Sequence, residues 1–210
     1  VDPLDDARGG RFPVLACVGH SRAWTPARFP TPDGTMSRPD ERRLLTVGYM
    51  SPTQWSRCMS TNAGVGRSER STGRVAGAEA TRAAIAAAGG GAPGLCLVFG
   101  TSGYDQTELL AGVHEAAGGA LIAGCSAEGI IAGARSDEGD RAVVVLAVRS
   151  EQVQFHAALV RGYDSDSAQA GRSIAAWASE CGLDDALALF VFPDGLTGDC
   201  SAMLAAAQAG

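Results

Sequence analysis

Lysine is absent from the 210-residue chain, and all 17 basic residues are arginine. Against 23 acidic residues they leave a formal charge of −6. No basic stripe is visible, which speaks against a nucleic-acid binder, whose affinity comes mainly from cations on phosphates. Long apolar runs are also missing. Residues 142–148 form a run of seven between Arg141 and Arg149, well short of the roughly 18 needed to span a bilayer. The N-terminus lacks a basic stretch followed by an apolar one, so no signal peptide is expected and the chain reads as cytoplasmic.

Cys17, Cys58, Cys96, Cys125, Cys181 and Cys200 include no C-x-x-C pair, and His20, His114 and His156 lie far from them in sequence. A structural zinc site is not expected, nor are disulfides without an export signal. A P-loop needs a lysine, and no G-x-G-x-x-G follows a strand pattern, so phosphate and dinucleotide cofactors have no support and none is expected. Glu128, Asp137, Glu138 and Asp140 could hold a divalent cation, but 135–140 is more simply a solvated loop.

Composition changes near residue 59. Seven of nine prolines and eight of 17 arginines precede it, and apolar residues there come only in brief patches. Such a segment cannot bury enough surface to offset its ordering entropy. Residues 1–58 are therefore read as a disordered or non-native N-terminal extension, with native translation expected from Met59.

Beyond Met59 the periodicities are regular. Residues 72–88 are alanine-rich and helical in spacing, closed by Gly89, Gly90 and Gly91. Residues 95–99 read as a strand buried on both faces, 104–117 as a helix, 120–123 as a second strand, and Ile130 with Ile131 as a small one. Residues 141–149 and 153–160, joined by Ser150, Glu151 and Gln152, suggest an antiparallel hairpin. A helix over 166–180, a strand over 187–192 and a helix over 197–208 complete the pattern. The fold class is α/β: a mixed β-sheet flanked by helices, with an antiparallel hairpin, and incomplete as a domain.

Three strands run into polar, glycine-bearing turns: 100–105, 124–129 and 193–199. Glycine lets bare amides approach a ligand, and helix N-termini with hydroxyls suit an anionic group. Ligands of open α/β sheets gather outside the carboxyl ends of strands. Each turn alone also meets the ordinary needs of capping and tight bends. Residues 124–129 approach a G-x-S-x-G nucleophile elbow but place Glu128 where its last glycine belongs.

From Met59 onward the chain resembles the N-terminal part of a FIST domain, a sensory module of bacteria, archaea and eukaryotes. The resemblance rests on residues 63–68, on Leu97-Val98-Phe99-Gly100-Thr101-Ser102-Gly103-Tyr104-Asp105 and on Leu121-Ile122-Ala123-Gly124-Cys125-Ser126-Ala127-Glu128-Gly129-Ile130. It continues through the strands at 142–148 and 187–192. Residues 59–210 are thus expected to be a C-terminally truncated sensory domain, lacking its C-terminal FIST domain and any downstream signalling module. The resemblance implies a cytoplasmic sensor of a small molecule, amino acids being the suspected class. The family commonly has Thr-Ala-Gly-Glu after Gly-Cys-Ser, so Glu128 is displaced by one position here.

On this reading the Thr101–Gly103 amides and the Thr101 and Ser102 hydroxyls receive a ligand carboxylate. Cys125 and Ser126 line the wall, Glu128 or Asp194 faces an ammonium group, and Tyr104 closes one side. No catalytic or metal-binding residue and no membrane partner is expected. Two alternatives stand beside this reading. One is an enzyme with Cys125 as nucleophile and His114 or His156 as base; the other is an interaction domain without a ligand.

Overall fold

The computed structural model describes residues 61–183, 186 and 188–210, together with the backbone of 14–21. In chain order the elements are β1 (Val14–Ser21), β2 (Thr61–Ser68), α1 (Gly73–Ala87), β3 (Leu95–Thr101), α2 (Gln106–Ala117), β4 (Leu121–Ala127), β5 (Ile130–Ala132), β6 (Arg135–Asp137), β7 (Val143–Ser150), β8 (Val153–Val160), α3 (Ser167–Glu180), β9 (Ala188–Phe192) and α4 (Cys200–Ala209). The described strands make a four-stranded sheet β2-β7-β3-β4, a three-stranded sheet β8-β1-β9 and the small β5-β6 pair.

The four-stranded sheet is mixed: β3 runs parallel to β4 and antiparallel to β7, and β7 antiparallel to β2. Its inner strands are apolar on both sides because both faces are covered. Cys96, Val98, Val143, Val145 and Ala147 meet α1 and α2 through Ala80, Ala84, Leu109 and Val113. Each fully buried valine or leucine among them contributes about 1.5–3 kcal/mol. The alternate residues Leu95, Leu97, Phe99 and Leu146 face Phe155 of β8 and Phe192 of β9. The far side of that second sheet carries α3 and α4, with Val160, Ile174 and Met203 between them. Helices, sheet, sheet and helices therefore stack in succession.

Small residues set the closest approaches. Gly64 and Gly66 of β2 sit against the α1 backbone at Ala84 and Ala80, where any Cβ would overlap main-chain atoms. Gly77 of α1 and Gly112 of α2 bring those helices together in the same way, against Leu109 and Arg74.

The α/β class with helices flanking a mixed sheet is what the structure has, but the antiparallel hairpin lies elsewhere than expected. It is β5-β6, with Ile130 opposite Asp137 and Ala132 opposite Arg135. Strands β7 and β8 enter different sheets. The backbone N–H groups of Gln152 and Val153 both donate to Ser150 Oγ, and this turn redirects the chain into the next layer. Residues 14–21, inside the stretch expected to carry no structure, form β1 between β8 and β9. The rest of 1–58 lies outside the described residues. Among the described residues, no helix is long and apolar enough to cross a membrane.

Candidate functional site

The first two polar segments leave adjacent strands. β3 and β4 are parallel, with Gly100 opposite Ser126 and Thr101 opposite Ala127. Both strands run further than the sequence suggests, so Cys125 and Ser126 are ladder residues rather than turn residues. At Gly124 the backbone takes φ +142°, and a Cβ there would overlap the carbonyl of Val98. Only glycine fits that position. The third segment begins at the same end of the molecule. Phe99 and Phe192, immediately before the first and third segments, make an edge-to-face contact with centroids 5.5 Å apart.

Several residues expected to meet a ligand are committed to the protein itself. Thr101 is 1% exposed. Its Oγ1 donates to the Asp140 carbonyl at 2.7 Å and accepts from the Ala142 N–H at 2.9 Å. The hydroxyl therefore fastens the end of β3 to the approach of β7 instead of facing a ligand. Tyr104 is buried in the core beneath α1 and α2, with its hydroxyl donating to the Arg70 carbonyl at 2.8 Å. Burial, the largest cause, raises its pKa. It supports the turn from below and does not wall a cleft.

Asp194 accepts from the Leu196 N–H at 3.0 Å and from Thr197 Oγ1 at 2.7 Å, which fixes its own turn. The α2 N-terminus is also taken: Asp105 Oδ1 accepts from Thr107 N–H at 2.9 Å and Glu108 N–H at 3.2 Å. That is ordinary N-capping, and it leaves these donors engaged.

Ser102, Gly103 and Glu128 are exposed and Ser126 is half-buried. Among the described residues, the side chains of Ser102, Ser126 and Glu128 make no hydrogen bond or ion pair. They are polar groups on neighbouring strand ends with capacity to spare. Cys125 is also exposed, yet the surrounding protein still desolvates its sulfur enough to raise the thiol pKa. A raised pKa is the opposite of what a nucleophilic cysteine needs. Cys96, wholly buried, is pushed up to about 11.

Arg141 joins the site from outside the three polar turns. Its Nε donates to the Gly103 carbonyl at 3.3 Å, which sets an exposed guanidinium beside the first turn. Thirty-eight residues separate the two, and only the β3-β7 pairing brings them together. No local sequence signal could have indicated it.

Of the acidic residues weighed as a cation site, Asp137 is engaged by other bonds. Asp137 accepts from the Gly139 N–H at 2.7 Å and from Arg67 at 2.8 Å. These two bonds, the first the larger, hold its carboxyl below the usual range. Among the described residues, no group of three or more His, Cys, Asp or Glu could hold a metal ion. Two open grooves lie elsewhere, one at β2 and one on α1 and α2, and neither includes any of the eight expected residues.

The family model of the FIST N domain matches residues 94–210. The chain belongs to the FIST N domain family. This is a family of signalling sensory domains, and the segments 97–105 and 121–130 that carry the resemblance lie within the matched range. The matched range begins just before β3, whereas the resemblance in the sequence begins at Met59. No curated protein matches the chain. Although β2 and α1 precede the matched range, they belong to the same unit, since β2 is hydrogen-bonded to β7 along its full length.

Proposed function

We propose that this FIST N domain is a binding module, not an enzyme, and takes a small zwitterionic ligand of the amino-acid class at the joined ends of β3 and β4. The observation that carries the reading is that polar groups of opposite character gather at the joined ends of β3 and β4, where the side chains of Ser102, Ser126 and Glu128 make no hydrogen bond or ion pair among the described residues. Arg141, the Ser102 hydroxyl and the N–H of Gly103, whose carbonyl already accepts from Arg141, suit a carboxylate. Glu128, one residue past the end of β4, supplies a carboxylate for an ammonium group. Ser126 and Cys125 would line the side between them. Thr101, Tyr104 and Asp105 hold the first turn in place from within. Cytoplasmic signal transduction is the setting that family membership favours.

Thermal melts of the full chain against a panel of millimolar amino acids test this. A ligand at a hundredfold excess over its Kd stabilises the folded state by about 2.7 kcal/mol. Arg141→Ala and Glu128→Gln are each expected to abolish the shift, both positions being exposed enough to leave the fold intact. If no amino acid shifts the full chain, the reading fails.

A Cys125 nucleophile would behave differently. With its thiol above the ordinary range, Cys125 is expected to react with iodoacetamide no faster than free cysteine at pH 7, speeding up only as pH rises towards the thiol's own range. Labelling at pH 7 faster than that of free cysteine would favour the enzyme.

A further inference from the structure

β2 stands at one edge of the four-stranded sheet, with β7 on one side and no described strand on the other. About half of an edge strand's backbone N–H and C=O groups point away from its partner. Folded proteins usually blunt such an edge with lysine, proline, a bulge or an inward charge. β2 reads Thr-Asn-Ala-Gly-Val-Gly-Arg-Ser, pairs with β7 without a break in register, and contains neither lysine nor proline. Its one charge, Arg67, is held by Glu69 and Asp137.

An open groove of about 570 Å³ follows this edge. Five successive residues, 65–69, line it. Successive strand residues point to opposite faces, so a groove touched by Val65, Gly66, Arg67 and Ser68 in turn, with Glu69 just beyond the strand end, runs along the edge and not over one face. Glu79 of α1 borders it, and Ala132, Gly133 and Arg135 of the β5-β6 hairpin also contribute. Val65 is 49% exposed and Ile131, next to the hairpin residues, is 80% exposed. Arg135 is exposed and, unlike Arg67 and Arg70, has no carboxylate partner among the described residues. None of the eight residues expected to meet a ligand, seven of them on the rim at the joined ends of β3 and β4, takes part.

We propose that the outer edge of β2 accepts an extended segment of a partner protein as an added strand, with an Asp or Glu of that segment seated on Arg135. The outward main-chain groups, which no described strand pairs, would supply affinity without regard to sequence. The lone guanidinium and the apolar contacts at Val65 and Ile131 would select among segments, favouring β-branched residues alternating with polar ones and an acid at one fixed place. A sensory domain would gain in this way a contact for its output that is separate from the rim.

A phage library of random dodecapeptides panned on the full chain tests the proposal, with hydrogen exchange read over residues 61–68. Enriched peptides are expected to carry an acid at one fixed position and to slow exchange of the outward β2 amides. Arg135→Glu is expected to weaken them at least about tenfold and to move enrichment towards basic peptides. Val65→Lys, which adds the usual edge protection at a half-exposed position, should abolish binding. Any of three results would overturn the proposal: no enrichment; enriched peptides that ignore Arg135→Glu or leave exchange at 61–68 unchanged; or outward amides already protected in the free chain, which would mean that the edge is occupied.

Discussion

Replacing Gly66 with alanine is expected to destabilise the domain by about 3 kcal/mol or more, as measured by denaturant titration. A Cβ at this position would overlap the Ala80 carbonyl and the Ala84 nitrogen. Both are main-chain atoms in the middle of α1, so no side chain can swing aside. The helix must retreat, and with it the contacts of Ala80 and Ala84 in the core. In a unit of this size, such a loss lowers Tm by roughly 6–12 °C. Gly195→Ala is the control, since nothing lies within 4 Å of its would-be Cβ; its effect should stay within about 0.5 kcal/mol. Equal effects at both positions would mean that α1 does not rest on the β2 backbone.

Thr101→Val tests the opposite kind of contact. Valine fills the same space but removes a hydroxyl that serves the Asp140 carbonyl and the Ala142 N–H at once. Leaving buried polar groups unmatched costs about 1–3 kcal/mol, and Thr101→Ser should recover most of it. The Ala142 N–H–Oγ1 bond and the Thr101 N–H to Ala142 carbonyl bond at 2.9 Å both hold the approach of Arg141 to Gly103. Thr101→Val is therefore expected to remove the ligand-induced thermal shift as well as lower stability. A variant that loses stability but keeps the full shift would show that Arg141 finds the first turn without this clamp.

Helices were legible because their periods are intact. Residues 72–88 and 166–180 match α1 and α3 within a residue at each end, since their small and apolar positions recur on one face. β3 and β9 were legible as short apolar runs between glycine and proline signals. β2 was not, for a physical reason. Its helix-facing positions are Gly64, Gly66 and Ser68, left small because the α1 backbone occupies the space that side chains would fill. A strand whose buried face is glycine has no hydrophobic alternation to read.

The 141–160 segment failed differently. Two β-rich runs with a short polar joint carry a hairpin's pattern, but pairing is a tertiary choice, and the Ser150 turn sends the second run into another layer. At the site, the polar turns were visible in the sequence. Which hydroxyls were spent was not, because the Thr101 and Tyr104 partners lie 39–41 and 34 residues away.

The placement of β1 has a kinetic consequence. Val14 pairs with Val160, a separation of 146 residues, whereas β3, α2 and β4 lie within one continuous stretch of the chain. Closing so wide a loop costs roughly 2.4 kcal/mol more entropy than closing one of ten residues. Contacts between distant parts of a chain are correspondingly slow to form. The layer built on β8, β1 and β9 would thus be the last to assemble, after the layer that presents the rim has already found its shape.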